Sequence, residues 1–358
     1  MQVGIVGAGN IAKAYLAYLS QAGHEARLWS PSGRSLAAFH GQDVLRVTGA
    51  LQGEVPLRSA RDAADLAQAQ VIVLALPANG HRMAMDALLP HLTAQHTVIF
   101  SGHLSFACLY LARRLAERGL DIPLVAWNTT AMTCKAPDAP HIRIGALRPR
   151  VDMAVIPAGQ ADAALATCRT LFGDRFRLKA DLLEIALSNL NPQVHLAMVL
   201  CNLTRIERAE PWHQNSMVTE GVGRLMAALD AERLAIAAGF GKALAPQLDP
   251  ASGHASIEAL YQSRVAAGTD PLGPKSADTR YVSEDVPFGL VPTVALARIA
   301  GVPAPLHESA IALIDACYGC DFAARNDILD DVELPKCPDG AAIAATAQDA
   351  QDPAGPAH

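Results

Sequence analysis

The chain carries few charges and no concentration of either sign. Charged residues make up 18% of its 358 residues, aromatic residues make up 5%, and the formal net charge is −6. Because lysine and arginine form no cluster, the sequence lacks the electrostatic footprint of a protein that binds nucleic acid or an anionic membrane. Long apolar runs are missing too, since none approaches the roughly 18 residues needed to span a bilayer. We therefore expect small-molecule partners, no nucleic acid and no membrane.

Signals for secretion and for metal binding are also missing. The first residues, "MQVGIVGAGN", have neither a basic region nor a small-residue cleavage site, which predicts a cytoplasmic protein. The seven cysteines are scattered and odd in number, which predicts reduced, mostly buried thiols rather than disulfides. Cys317 and Cys320 have metal-ligand spacing, but no second such pair accompanies them and zinc needs four ligands. We therefore expect no metal site, and we expect Cys317 and Cys320 to face a core.

The order of sequence patterns predicts two folded domains, and 51% hydrophobic residues suffice for a core in each. Strands and helices alternate to about residue 128, and a strand-like stretch at 142–157 is interpreted as a hairpin. We predict an α/β Rossmann domain with a doubly wound parallel sheet over 1–180. Helical patterns without a clear sheet predict an all-α domain over 181–335. The Ala-, Pro- and Gly-rich stretch 336–358 predicts a disordered tail.

A glycine-rich loop follows the first predicted strand. The strand "QVGIV" leads directly into "GAGNIA", which opens an amphipathic helix. In this G-x-G-x-x-A pattern Gly7 makes the tight turn, Gly9 lets a pyrophosphate approach the backbone, and Ala12 permits close packing of helix and strand. Asn10 and Ile11 begin the helix, whose N-terminus attracts phosphate. The loop predicts a nicotinamide or flavin dinucleotide site; the alternative is a degenerate Rossmann fold that binds nothing.

An acidic residue is missing after the second strand, "EARLW". In NAD sites an Asp or Glu at this point holds the ribose 2′-hydroxyl group. Ser30, Ser32 and Arg34 stand there instead, and their hydroxyl and guanidinium groups suit a 2′-phosphate. The sequence therefore favours NADP(H) over NAD(H), the alternative being that Arg34 is a solvated loop residue. Pro77, after a later buried strand, is expected to line the cofactor crevice.

Charged residues stand directly before an apolar run in "TRYVSEDVPFGLVP", residues 279–292. Reduction of a C=N or C=O bond needs a proton donor near the heteroatom, and His195, one turn into a predicted helix, could supply it. Asp285 could fix the tautomer of that imidazole, and Arg280 could bind a substrate carboxylate. The alternatives are a core histidine at 195, and a structural ion pair of Arg280 with Asp285 or a helix cap at Asp285.

Other polar residues stand near these candidates. Glu284 is interpreted as a solvated or capping residue, and the pair of Asp230 and Arg233, one helical turn apart, as structural. Asn202 lies seven residues after His195 on the same helix face. We therefore treat Asn202 as a candidate substrate contact.

Five stretches of the sequence together resemble the octopine/nopaline (opine) dehydrogenase family: "SNLNPQVHLAMVLCNLTRIE", "TRYVSEDVPFGLVP", "GAGNIA", "VLALPANGHR" and "LDAERLAIAAGFG". The resemblance covers residues 1 to about 325. It implies an NAD(P)H-dependent reductive condensation of a pyruvate-like α-keto acid with the amino group of an amino acid. Position by position, it places the catalytic histidine at His195, its aspartate partner at Asp285 and the substrate-binding arginine at Arg280. Lys135 stands where the family leads us to expect an arginine.

Other functions remain open at this point. Ketopantoate-reductase-like and hydroxyacid-dehydrogenase-like enzymes share the architecture, but they place a catalytic lysine in the first helices after the Rossmann domain. Residues 180–241 contain no lysine. A non-catalytic NADP(H)-binding sensor would need only the cofactor loop. The apolar helical surface is also compatible with a homodimer.

Overall fold

The computed structural model describes residues 1–33, 36, 43–138 and 140–337. Arg34 and nearly all of the predicted tail, 338–358, lie outside the described residues. Within them, eleven strands are present: β1 Gln2–Val6, β2 Glu25–Trp29, β3 Val44–Gly49, β4 Gly53–Pro56, β5 Val71–Leu74, β6 Thr97–Phe100, β7 Leu124–Trp127, β8 Met132–Asp138, β9 His141–Leu147, β10 Val151–Ile156 and β11 Phe176–Leu178.

A twisted seven-stranded sheet forms the centre of the first half, in the order β11-β10-β7-β6-β5-β1-β2. Neighbouring strands are parallel except β10 and β7, which are antiparallel. Alternate residues face separate cores, since Ile72 and Leu74 belong to one apolar cluster and Val71 and Val73 to the other. Burial on both faces explains why these strands are continuous apolar runs in the sequence. The predicted doubly wound sheet is confirmed.

A second, four-stranded sheet, in the order β4-β3-β9-β8, has no counterpart in the sequence prediction. The predicted hairpin at 142–157 is wrong, because β9 pairs with β3 and β8 whereas β10 crosses to the main sheet beside β7. Gly49 allows the close approach of β3 to β9: its φ is 95°, and a Cβ there would lie 2.1 Å from the carbonyl oxygen of Ile144. In the sequence, the half-exposed β9 and the buried β10 both have the apolar pattern of a strand. The local pattern therefore does not show that they belong to different sheets.

Helices cover both faces of the main sheet and make up the rest of the described chain. They are α1 Asn10–Gln21, α2 Ala63–Leu66, α3 His81–Leu88, α4 Ala107–Ala116, α5 Ala161–Phe172, α6 Leu182–Ser188, α7 Asn191–Glu207, α8 Glu220–Gly239, α9 Ile257–Ala266, α10 Arg280–Ser283, α11 Val291–Ala300 and α12 Pro305–Tyr318. Beyond residue 180 the described chain contains no named strand, so the predicted all-α part is confirmed. The boundary at 180/181 stays a prediction. No helix in these ranges is long and apolar enough to cross a membrane.

A buried ion pair supports the helical domain. Arg233 Nε donates to Asp230 Oδ1 at 2.8 Å, and its guanidinium also donates to the carbonyl oxygens of Leu187 and Ala245 at 2.7 and 2.8 Å. Because the guanidinium joins α8 to the end of α6 and to the following loop, the structural interpretation of this pair is confirmed.

The cysteines depart from expectation. All seven are free, but of them only Cys108 and Cys168 are buried, whereas Cys201 and Cys317 are exposed. The prediction of mostly buried thiols is therefore wrong. Cys320 packs partly against an apolar cluster, but Cys317 lies on the solvent side of α12 and does not face a core.

Candidate active site

The two glycines of the first loop have different geometries. Gly7 has a φ of 116°, and a Cβ there would lie 2.6 Å from the carbonyl oxygen of Ala75, so only glycine lets β1 and the end of β5 come this close. Gly9 has no heavy atom within 4 Å of its hypothetical Cβ. The space above Gly9 is therefore open, as the approach of a pyrophosphate requires.

The helix after this loop could hold an anion. α1 begins at Asn10, and neither a capping side chain nor an acidic residue occupies its first turn in the described chain. Its first N–H groups and the positive end of its dipole are therefore available to a phosphate. Ala12 is fully buried and Ile11 half-buried, which fits the predicted close packing of α1 on the sheet. These residues fit a dinucleotide, although its binding stays a prediction.

The loop after β2 is a turn in which the amide of Gly33 donates to the carbonyl oxygen of Ser30 at 2.9 Å. Ser30 is buried and Ser32 is exposed. Pro77 is half-buried and directly precedes the 3₁₀ turn Ala78–Gly80, beyond the carboxyl end of β5. Because β5 is parallel to β1 and pairs with it, the carboxyl ends of both strands lie at the same edge of the sheet. Pro77 therefore lies at the edge that carries the glycine loop.

His195 and Asp285 are in direct contact. Nδ1 of His195 lies 2.7 Å from Oδ2 of Asp285, although the two residues are 90 positions apart. Their side chains are 20% and 10% exposed. Because a carboxylate accepts, this hydrogen bond assigns a proton to Nδ1, and no residue in the described ranges is hydrogen-bonded to Nε2. The structure therefore brings the predicted pair together.

The ring of Tyr281 covers one face of the His195 imidazole. The sequence analysis did not predict this contact. The rings of His195 and Tyr281 are stacked with centroids 3.6 Å apart and planes 3° apart. Tyr281 Oη donates to Gln214 Oε1 at 3.0 Å, and burial raises the pKa of the phenol. The position of Tyr281 inside the "RYVSED" stretch was the available signal, because a one-turn helix places residue 281 near residue 285.

Arg280 pairs with Glu284 rather than with Asp285. Nε and Nη2 of Arg280 each lie 2.5 Å from Oε2 of Glu284. Oε1 of Glu284 accepts the backbone N–H of Ala78 at 2.9 Å. The Glu284 side chain is only 9% exposed, so its interpretation as a solvated or capping residue is wrong. Asp285 also makes no side-chain cap, because its carboxylate is turned to His195.

Asn202 marks a kink in α7. Its φ of −131° and ψ of 17° interrupt the helix, and its Nδ2 donates to the carbonyl oxygen of Met198 at 3.0 Å. The side chain is buried against its own helix. A substrate contact of Asn202 stays a prediction, and the amide has a structural partner without it.

The segment after Asp285 is a π-helix, Val286–Leu290, that is held from outside. In an α-helix the carbonyl oxygen of Phe288 would accept the backbone N–H of residue 292, and in a π-helix the carbonyl oxygen of Pro287 would accept it. Residue 292 is a proline and has no N–H, so the donor is missing in either case. Ser105 supplies its N–H and hydroxyl to Phe288 O at 3.1 and 3.0 Å, and Asn326 Nδ2 donates to Pro287 O at 2.7 Å. Pro292, the second proline of "VPFGLVP", was the signal in the sequence that this turn needs hydrogen-bond donors from outside the helix.

A cavity of about 460 Å³ lies in the helical domain between α8 and the start of α9. Its walls include Ala227, Leu234, Leu248 and Ile257, and His195 is not among its lining residues. The described ranges contain no group of three or more His, Cys, Asp or Glu side chains that could hold a metal ion.

Two family models match the chain. Residues 178–318 match the α-helical domain of NAD/NADP octopine/nopaline dehydrogenase, and residues 3–101 match ketopantoate reductase (PanE/ApbA). The opine dehydrogenase of Arthrobacter sp. (strain 1C) is 24% identical over 344 residues, which cover 92% of this chain and 94% of the relative. Protein ocs of Agrobacterium tumefaciens (strain Ach5) is 25% identical over 326 residues, 87% and 89% of the two chains.

Solved structures share the architecture. An octopine dehydrogenase with NADH and L-arginine aligns with a TM-score of 0.69 at 19% identity, over 89% of this chain and 90% of that chain. A yersinopine dehydrogenase with NADP⁺ aligns with a TM-score of 0.68 at 15% identity, over 92% and 98%. At these identities the likeness shows the fold, a Rossmann domain followed by a helical domain.

Proposed function

Since the resemblance to the octopine/nopaline dehydrogenase family is confirmed by the match of the helical domain, we propose that the chain is an NAD(P)H-dependent opine dehydrogenase. It joins an α-keto acid such as pyruvate to the amino group of an amino acid and reduces the resulting imine to a secondary amine. The observation that carries this proposal is the contact of 2.7 Å between His195 and Asp285, with Nε2 of the imidazole unpartnered in the described chain.

The proposed chemistry divides the work among three side chains. A bound nicotinamide supplies the hydride that reaches the imine carbon. His195 Nε2 exchanges a proton with the substrate nitrogen or carbonyl oxygen, so condensation can expel water. Asp285 holds the ring in one orientation and stabilises it when it is charged. Arg280 binds the keto-acid carboxylate through its 65% exposed guanidinium, whose Nη1 has no hydrogen-bond partner in the described chain while Nε and Nη2 are bonded to Glu284.

We further propose a preference for NADP(H). No acidic residue ends β2, and the hydroxyl groups of Ser30 and Ser32 stand at the turn that would receive the 2′-phosphate. A ratio of kcat/KM above one for NADPH over NADH is expected. A higher kcat/KM for NADH would contradict the preference without affecting the reaction type. The homodimer stays a prediction that the molar mass in solution can test.

A second candidate is a simple ketoacid reductase, favoured by the match of residues 3–101 to ketopantoate reductase. That match is confined to the cofactor half of the chain. Residues 180–241 contain no lysine, which removes the catalytic group expected for such an enzyme in these helices. The two candidates differ in one requirement, because only the opine reaction consumes an amine.

The deciding experiment measures oxidation of NADPH and NADH with pyruvate alone and with pyruvate plus each of a panel of amino acids. We expect oxidation that requires both substrates, and a loss of about 10² to 10⁴ in kcat for His195→Ala, as for other acid–base groups. His91→Ala, at an exposed histidine, is the matched control. Oxidation with pyruvate alone would favour the ketoacid reductase, and cofactor binding without turnover would favour a sensor.

A further inference from the structure

Glu284 bonds to both halves of the molecule through one carboxylate. Its Oε1 accepts the N–H of Ala78, which opens the 3₁₀ turn after β5 next to Pro77. Its Oε2 accepts Nε and Nη2 of Arg280, which belongs to the helical half. The two partners of Glu284 are therefore a loop beside the glycine-rich turn and the arginine proposed to bind substrate.

Burial of this carboxylate needs a reason other than stability. A carboxylate removed from water is costly unless both oxygens are bonded, and here each oxygen has a donor. A buried ion pair is nevertheless weak evidence for net stabilisation. Its other effect is geometric, since a long and 65% exposed arginine side chain is held in one orientation through two of its nitrogens. The Nη1 edge keeps no hydrogen-bond partner among the residues that the structure describes.

We propose that Glu284 is a positioning residue: it orients the Arg280 guanidinium for the keto-acid carboxylate and links that orientation to the loop at Ala78. The proposal rests on the proposed function for the ligand that Arg280 receives. In the described chain the Glu284 carboxylate bonds to Ala78 and Arg280 and not to His195 or Asp285. Its loss should therefore weaken keto-acid binding while leaving the pH dependence of kcat unchanged.

Two variants separate the two bonds of Glu284. Glu284→Gln keeps an oxygen for the N–H of Ala78 but turns an amide NH₂ toward the guanidinium. Glu284→Ala removes both bonds. Glu308→Gln is the matched control, because Glu308 forms an exposed i,i+10 ion pair with Arg298 at 3.2 Å.

Calorimetric titration of pyruvate into the NADP⁺-loaded protein tests the link to Arg280 without turnover. We expect Glu284→Gln to weaken pyruvate binding by about ten- to a hundredfold, the size of effect that the loss of a hydrogen bond to a charged group produces. In an Arg280→Ala background the same change should have little further effect, because Glu284 acts through Arg280. Additive losses would overturn the proposal, as would a lower kcat with an unchanged KM for pyruvate, which indicates a merely structural role.

Backbone hydrogen exchange around residues 76–80 tests the link to Ala78 in the absence of any substrate. We expect faster exchange in Glu284→Ala, near-wild-type exchange in Glu284→Gln, and no change in Glu308→Gln. Unchanged exchange in Glu284→Ala would refute the link. If the wild-type protein binds no pyruvate, the proposed function fails, and the exchange result still decides separately whether Glu284 holds the loop.

Discussion

Asp285→Asn perturbs the proposed proton-transfer pair with the smallest change in shape. The carboxylate accepts from Nδ1 of His195 at 2.7 Å, with the two side chains only 10% and 20% exposed. A hydrogen bond to a charged group contributes about 1.5–3 kcal/mol. Because about 1.4 kcal/mol is a factor of ten in rate, loss of this bond alone lowers kcat by about ten- to a hundredfold. An Asn that presents its NH₂ to Nδ1 also selects the wrong tautomer, and the loss then approaches about 10⁴.

The assay is steady-state oxidation of NADPH with saturating pyruvate and amino acid, with the cofactor dissociation constant measured separately by fluorescence. We expect kcat to fall and cofactor binding to stay unchanged, because Asp285 lies in the helical half. Asp62→Asn is the matched control, since Asp62 caps a helix by accepting the N–H of Asp65 at 2.8 Å. A kcat for Asp285→Asn within about threefold of the wild type would refute the dyad, because that ratio is below the smallest loss expected.

Three further predictions concern cofactor binding and stability. Gly9→Val should weaken NADPH binding at least about tenfold in a fluorescence titration without lowering Tm, because the space above Gly9 is open to the predicted pyrophosphate; unchanged binding would contradict the phosphate site. Asn326→Ala should lower the free energy of unfolding in urea by at least about 1–3 kcal/mol, because Pro287 O and Ser105 Oγ lose a donor and the N–H groups of Ile328 and Leu329 lose their acceptor; a change below about 0.5 kcal/mol would show that water replaces these bonds. Burial lowers the pKa of His103 to about 3, so the unfolded chain binds the extra proton first and stability falls as the pH decreases below about 6.5. Urea unfolding at pH 7 and pH 5 should show a loss of about 2 kcal/mol that His103→Leu lacks, and equal pH dependence in both proteins would contradict this.

A local pattern predicted the glycine loop, whereas the pairing of His195 with Asp285 was predicted from the family resemblance together with the chemistry of proton transfer. The spacing of Gly7 and Gly9 between a strand and a helix is the local signal for the loop, and the stretches around His195 and Asp285 are those that carry the resemblance. The role of Glu284 could not be predicted in this way. Its buried carboxylate accepts the N–H of Ala78, which lies 206 positions away in the sequence.

The second sheet escaped prediction for a related reason. Strand β3 is parallel to β9, and the residues paired, such as Val47 and Ile142, are almost a hundred positions apart. Both strands are only partly buried, so each has a weak apolar pattern of its own. Half-buried strands become recognisable only when their partners are known, because cross-strand contacts rather than intrinsic preference stabilise them.

Two consecutive residues directly before the π-helix contact different halves of the molecule. Glu284 reaches Ala78, whereas the next residue, Asp285, reaches His195 on α7. The wider turn that follows brings Gly289 against the start of α7, where a Cβ would lie 2.5 Å from Cγ of Pro192. His195 stands one turn after Pro192, so this close packing lies next to the contact of Asp285 with His195. Because Pro292 has no N–H, carbonyl groups at this turn need donors from outside the helix, and Ser105 from the first half and Asn326 from beyond the helices supply them where the two halves meet.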